Sequence, residues 1–135
     1  MRATAALAAK GVGVRHIHVS THKPLDGEAL FEMLGSPKYG VVSLENHSVI
    51  GGLGSEIAEI LAEKGACRKL KRMGIRDTFA HGASRAYLMR EYGLDAMALV
   101  GAIESLVGQK LGIGELDLEN VRIEPMHSLA KAEAL

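Results

Sequence analysis

Side chains capable of acid–base or anion chemistry surround a glycine-rich turn in the stretch "SLENHSVIGGLGSE". Glu45 and His47 precede the turn, and Ser55 follows it. The turn itself contains three glycines: Gly51, Gly52 and Gly54. An apolar run comes before this stretch and a helical pattern comes after it, so the sequence predicts a strand, a tight turn and a helix N-terminus.

This arrangement is compatible with an anion site, because a helix N-terminus offers free N–H groups and the positive end of the helix dipole. The candidate anion site or interface consists of Glu45, His47, Gly51, Gly52, Gly54 and Ser55. However, "GGLGSE" is not the dinucleotide pattern GxGxxG, and no GK[ST] follows as in a phosphate loop. The alternative interpretation is favoured: the glycines bring the helix close to the sheet, and Ser48 or Ser55 satisfies unpaired donors.

Glu45 and His47 also raise the hypothesis of an acid–base pair. Such a pair needs a shared pocket and a third group that orients the base, and the sequence identifies no such group. The favoured interpretation is that Glu45 accepts hydrogen bonds from nearby N–H groups, while His47 lies on the surface or at a subunit contact. No catalytic residue is therefore predicted.

Three histidines in the first strand region invite a test for metal binding. His16 and His18 would share one face of a strand, and His22 follows shortly after. No third or fourth ligand stands at a diagnostic zinc spacing, so no metal site is predicted.

Composition excludes several classes of protein. The 135 residues suit one domain, and the formal net charge of zero does not favour a nucleic acid or a membrane surface as partner. A charge near zero gives little repulsion between copies, so a homo-oligomer is expected. The N-terminal apolar stretch is too short for a signal peptide or a membrane span. The single cysteine, Cys67, fits a reducing, cytoplasmic compartment, and the basic run 68–72 suits a solvated edge.

Helical and strand patterns alternate along the chain. Helices are predicted at 2–10, 26–34, 53–64, 84–92 and 96–111, with Asp26 and Asp95 as N-caps and Gly35 as a stop. Strands are predicted at 12–20, 39–45, 68–75 and 121–124. The alternation predicts an α/β sandwich with a mainly parallel sheet.

Four stretches resemble a known family when taken in this order: "GVGVRHIHVSTHKPLD", "VVSLENHSVIGGLGSEIAEILAE", "LKRMGIRDTFAHGAS" and "YLMREYGLDAMALV". Together they are similar to the C-terminal domain of transketolase-type, thiamine-diphosphate-dependent enzymes. The resemblance spans about residues 3–108 and implies a three-layer α/β/α sandwich. The chain is then a single domain over 1–135, in which 109–135 is a tail beyond the clear resemblance.

The resemblance implies a function in ketol transfer between sugar phosphates, but not the catalytic part of it. In the family, the magnesium motif and the glutamate that activates thiamine diphosphate belong to two other domains, and this sequence contains neither. The chain alone is therefore expected to bind no cofactor and to be inactive, with a partner chain carrying thiamine diphosphate and Mg²⁺. Its expected role is subunit assembly, with regulation as a further one. The alternative is an independent module that binds an anion or phosphometabolite at the 51–55 turn.

One departure from the family concerns a strand that usually precedes the helix matched by residues 2–10. Here Met1 stands directly before that helix. Another chain could supply the strand, the remaining strands could close the gap, or the sequence could be a fragment. An open sheet position invites pairing, so strand sharing or tight self-association is expected. A further hypothesis places 121–124 in that position.

Overall fold

The computed structural model describes residues 1–119. Within this range the chain forms six helices and two strands. In chain order they are α1 (Arg2–Ala9), α2 (Gly27–Leu34), β1 (Val41–Ser48), α3 (Leu53–Glu63), β2 (Leu70–Ile75), α4 (Arg85–Glu91), α5 (Ala96–Val107) and α6 (Glu115–Glu119).

The two strands pair in parallel. Val41 lies opposite Leu70, and the register continues to Leu44 opposite Met73. It then shifts, so that Ser48 lies opposite Ile75. The shift falls where β1 approaches the glycine turn, and α3 connects β1 to β2. Both strands therefore end at the same edge of the sheet.

Helices cover both faces of β1, as a three-layer α/β/α sandwich requires. Val41 is buried in a cluster with Leu30 of α2 and Ile57 of α3. The next residue, Val42, packs against a different cluster, which α1, α5 and α6 form. Because successive side chains of a strand point to opposite faces, β1 lies between two helical layers. The unbroken apolar start of β1 reflects this burial on both sides.

The two side chains that the sequence identifies as N-caps lie at the starts of α2 and α5. The Asp26 carboxylate accepts a hydrogen bond from the N–H of Ala29, and the Asp95 carboxylate accepts one from the N–H of Ala98. These bonds satisfy donors that the first turn of a helix leaves unpaired. The predicted helix starts after Asp26 and Asp95 are thus confirmed.

The prediction of a strand at 12–20 is wrong for this structure. The segment has no strand assignment, and its one main-chain hydrogen bond within the described residues joins the N–H of Val12 to the carbonyl of Leu7. Its Val- and Ile-rich pattern indicated a strand, but a strand needs a paired neighbour, and none of the described residues provides one.

Smaller differences have local causes. The helix predicted to reach 111 ends at Val107, because Gly108 adopts a left-handed conformation with φ of 84° and its N–H bonds to the Glu104 carbonyl. The short helix α6 was not predicted, since two glycines weaken the pattern before it. The strand predicted at 121–124 lies outside the described residues.

Candidate functional site

The glycine-rich turn occupies residues 49–52, between the end of β1 and the start of α3. Gly51 has φ of 70°, a conformation that favours glycine, and Gly52 is the N-cap of α3. The sequence therefore correctly predicts the strand, the turn and the helix that compose the site.

The carboxylate of Glu45 caps α3. One oxygen accepts a hydrogen bond from the N–H of Leu53 at 2.8 Å, and the other accepts one from the N–H of Gly54 at 3.0 Å. The next two donors, on Ser55 and Glu56, bond to the Gly52 carbonyl at 2.9 and 3.2 Å. The N–H groups of Leu53, Gly54, Ser55 and Glu56 thus all have acceptors within the chain.

In this structure the Glu45 carboxylate occupies the N-terminus of α3. A negative charge stands where an external anion would bind, and it receives the same N–H groups and the same dipole. An added phosphate would have to displace Glu45 and meet its charge. The structure brings Glu45, Ser55 and the three glycines together in a self-contained turn, which the His47 side chain does not join.

Two serines complete the hydrogen bonding of the turn. Ser48 Oγ accepts from the N–H of Ile50 at 3.1 Å. Ser55 Oγ accepts from the N–H of Gly51 at 3.1 Å and donates to the carbonyl of Val49 at 3.0 Å. Both serines therefore satisfy polar groups of the turn, in agreement with the architectural interpretation.

Arg72 of β2 also belongs to the site, and the sequence reasoning missed it. Its Nη1 donates to the carbonyl of Val49 at 3.1 Å and to Ser55 Oγ at 3.2 Å. Arg72 is exposed, as the solvated edge predicted for 68–72 requires, but its guanidinium also bonds to the turn, which the sequence did not predict. Parallel pairing places Arg72 opposite Ser43, two residues before Glu45, and no sequence signal reveals that register.

Close contacts explain why glycines stand here. A Cβ on Gly52 would lie 2.0 Å from Glu45 Oε2, and one on Gly54 would lie 2.6 Å from Ser43 Oγ. A Cβ on Gly74, in β2, would lie 2.8 Å from the His47 carbonyl. The glycines thus permit the close approach of turn, helix and sheet. Like Arg72, Gly74 belongs to the site, and the sequence reasoning did not identify it.

Glu45 and His47 do not form an acid–base pair. Both Glu45 oxygens accept from α3, whereas the exposed His47 ring has only a long contact from Nδ1 to the Ser48 carbonyl, at 3.4 Å. Their side chains have no mutual hydrogen bond among those of the described residues. Proton transfer between them has no geometric basis here.

The three histidines considered as metal ligands do not share one site. His22 Nδ1 is 2.9 Å from Glu56 Oε2, while the rings of His16 and His18 are exposed. Within residues 1–119, no group of three or more His, Cys, Asp or Glu side chains is arranged to hold a metal ion. The same range contains no helix of the length and hydrophobicity that a membrane span requires.

Fold and site together define an α/β domain in which the chain's own side chains fill the carboxyl end of the sheet. Residues 1–99 match the family described as transketolase, C-terminal domain. This chain belongs to that family, which confirms the resemblance drawn from its motifs.

Several similar proteins are described as transketolase subunits or sections. The chain is 42 % identical over 101 residues to an apulose-4-phosphate transketolase subunit of Actinobacillus succinogenes, a match that covers 74 % of this chain and 32 % of the relative. It is 36 % identical over 103 residues to a putative transketolase C-terminal section of Methanocaldococcus jannaschii, covering 76 % and 31 %. It is 41 % identical over 105 residues to the 6-deoxy-6-sulfo-D-fructose transketolase subunit SqwH of a Clostridium species, covering 77 % and 32 %.

A solved structure agrees with the fold. It is described as a split gene transketolase, inactive beta4 tetramer, and it superposes with a TM-score of 0.69 at 35 % identity. The match covers 80 % of this chain and 35 % of that one. The chain thus spans about one third of the length of these relatives and of this neighbour, and the α/β/α class is confirmed.

Proposed function

We propose that this chain is the non-catalytic C-terminal part of a transketolase-like enzyme, which transfers a ketol group between sugar phosphates. The observation that carries the proposal is the Glu45 cap. The sheet edge where an α/β domain usually binds its ligand is occupied by a carboxylate that bonds to Leu53 and Gly54. The donors of this edge are thus bonded within the chain, which suits a domain that assembles an enzyme rather than one that binds its substrate.

Thiamine diphosphate and Mg²⁺ do not fit the residues described here. A diphosphate needs free donors or cations, and the first turn of α3 already donates to the chain's own acceptors. Mg²⁺ needs carboxylate or carbonyl oxygens grouped together, and residues 1–119 contain no such cluster. We therefore assign both groups to a partner chain and derive no catalytic step on this one.

The relatives support an assembly role. Two are described as transketolase subunits, and the structural neighbour comes from a split gene. That neighbour is described as an inactive tetramer, which supports a homo-oligomer that awaits a catalytic partner. We also propose a cytoplasmic location, because sugar phosphates are the substrates of the proposed enzyme.

Reconstitution tests the proposal. The full chain is purified alone and then mixed with a candidate partner that binds thiamine diphosphate, and ketol transfer is measured with Mg²⁺ and the cofactor present. We expect activity only in the mixture. Activity of the chain alone, or full activity of the partner without it, would refute the proposal.

A matched variant shows whether the turn matters for assembly. Gly52→Val places side-chain atoms where Glu45 lies, so it should abolish the gain of activity in the mixture. Gly82→Val, at a glycine with open space around its Cβ position, should leave the gain unchanged.

The alternative of an independent anion-binding module is tested by calorimetry with inorganic phosphate and the chain alone. Because Glu45 occupies the N-terminus of α3, we expect no saturable binding. Saturable binding that Gly52→Val removes would favour the module instead.

A further inference from the structure

A cavity of about 270 Å³ lies between α5 and the loop that follows it. Val100 and Ile113 line this cavity, and both belong to the core cluster that α1, α5 and α6 form. Met97 and Gly112 line it as well. Because an apolar cavity of about 150 Å³ is large enough to bind benzene, this one has room for an aromatic ring with a short substituent.

Gly101 opens the cavity in the middle of α5. A Cβ at this position would meet no atom of the described residues within 4 Å. Glycine inside a helix is less stable than alanine, and a close neighbour usually explains its presence. No described neighbour requires a glycine here, so the missing side chain leaves open space that the domain's own packing does not use.

The carboxylate of Glu104 gives this apolar cavity a negative charge. Glu104 lines the cavity, and among residues 1–119 it is the one charged side chain that is buried. It accepts from the N–H of Leu111 at 2.8 Å and from Lys110 Nζ at 2.9 Å, which leaves part of its acceptor capacity free among the described contacts. The bond from the Leu111 N–H lowers the pKa of Glu104, so the carboxylate is ionised at neutral pH.

The position of Lys110 Nζ shows where an ammonium group contacts this carboxylate. Lys110 also lines the cavity, but its side chain is 88 % exposed. An exposed lysine contributes little through such an ion pair, because holding a long side chain in place costs entropy and solvent screens its charge. The ammonium of a ligand whose apolar body is buried in the cavity can therefore replace Lys110 Nζ at Glu104 Oε2.

From these contacts we propose that the cavity binds a small primary amine that carries an aromatic ring, with the ring against Met97 and Ile113 and the ammonium on Glu104. Apolar walls favour a hydrophobic body, and methionine sulfur makes favourable contacts with aromatic rings. The buried carboxylate selects a cation over an anion. All lining residues except Met97 lie beyond the range 1–99 that matches the family, and the site does not depend on ketol transfer.

The test uses the full chain and benzylamine, which is protonated at neutral pH. Binding is followed through the NMR chemical shifts of the backbone amides. We expect saturable shifts of the Gly101 and Gly112 amides, with half-saturation in the low millimolar range or below, as suits a ligand of this size. Benzyl alcohol has the same ring without the charge, so it should bind at least about tenfold more weakly.

Two variants separate the role of the cavity from that of the carboxylate. Gly101→Leu fills the open space with a residue that favours helix, so it should abolish the shifts while the midpoint of thermal unfolding stays the same or rises. Glu104→Gln keeps the shape of the side chain but removes its charge. The affinity for benzylamine should then fall at least about tenfold, whereas the affinity for benzyl alcohol should not change.

Lys110→Ala tests the competition between the lysine and the ligand. Because this variant removes the cation that already contacts Glu104, it should tighten benzylamine binding about two- to fivefold. The matched control for an enlarged side chain on a helix is Ala58→Leu, at an exposed position of α3, which should leave binding unchanged.

Four results would overturn the proposal. Absence of saturable shifts would show that the cavity takes no such ligand. Equal binding of benzyl alcohol would show that Glu104 does not recognise the amine. Unchanged binding to Gly101→Leu would place the ligand elsewhere on the molecule, and weaker binding to Lys110→Ala would show that the lysine supports the ligand instead of competing with it.

Discussion

Glu45 is the residue on which the glycine turn depends. Its carboxylate accepts two N–H groups at the start of α3 and lies in the space that a side chain on Gly52 would take. A charged cap at a helix N-terminus is stabilised both by hydrogen bonds and by the helix dipole. The free N–H groups and the helix dipole, which suggest an anion site, thus bind the chain's own Glu45 and stabilise the start of α3.

The fit between Gly52 and Glu45 leads to a stability prediction. Gly52→Ala would place Cβ 2.0 Å from Glu45 Oε2 and 2.7 Å from the Ser48 carbonyl, so the cap must move. We expect the free energy of unfolding to fall by about 2 kcal/mol or more. Urea denaturation measures it. Gly82→Ala, with no atom within 4 Å of its Cβ, is the control, and equal losses for both variants would contradict the explanation.

A second glutamate, Glu104, stabilises the end of α5. It is only 8 % exposed, and its carboxylate accepts from the N–H of Leu111 at 2.8 Å and from Lys110 Nζ at 2.9 Å. The bond from the Leu111 N–H, followed by Lys110, lowers the pKa of Glu104 below its usual value. The folded state therefore prefers the ionised carboxylate.

This shift predicts how stability depends on pH. Because the folded pKa is lower than the unfolded one, the contribution of Glu104 is complete above an ordinary glutamate pKa of about 4.3 and is lost as pH falls through the folded value. The stability gap between the wild type and Glu104→Gln should therefore narrow as the solution is acidified. Thermal unfolding across pH measures the gap. Glu59→Gln, at an exposed position of α3, should show no such narrowing.

At the scale of elements, N-caps fix where helices begin. Asp95 Oδ1 accepts from the N–H of Ala98 at 2.8 Å, in a partly buried position. We expect Asp95→Ala to lower the free energy of unfolding by about 1 kcal/mol. Chemical denaturation tests this against Asp77→Ala, at an exposed loop position. No difference between the two variants would show that the cap does not stabilise α5.

The segment 12–20 shows the limit of local patterns at this scale. Its Val and Ile residues line a groove beside β1, so they have the burial partners of a strand without the paired main chain. A helix satisfies its hydrogen bonds within itself, whereas a strand depends on a neighbour distant in sequence. Helix starts could therefore be predicted from caps, but strand assignment at 12–20 could not.

At the scale of the whole molecule, the near-neutral charge favours association, and so does the edge of β1, which among residues 1–119 pairs only with β2. We expect the average mass in sedimentation experiments to rise above the 14.4 kDa of one chain as concentration increases. A constant monomer mass at high concentration would contradict the expected homo-oligomer.

The sequence by itself determined the layers of this domain, the caps of its helices, the position of the glycine turn and its family. Each of these depends on neighbours along the chain, through hydrophobic periodicity, short-range hydrogen bonds and recognisable motifs. Only the tertiary structure decided that Glu45 fills the N-terminus of α3, that Arg72 joins the turn from β2, and that within residues 1–119 β1 pairs with β2 alone. These features depend on strand register and close packing between distant segments, and local sequence does not encode them directly.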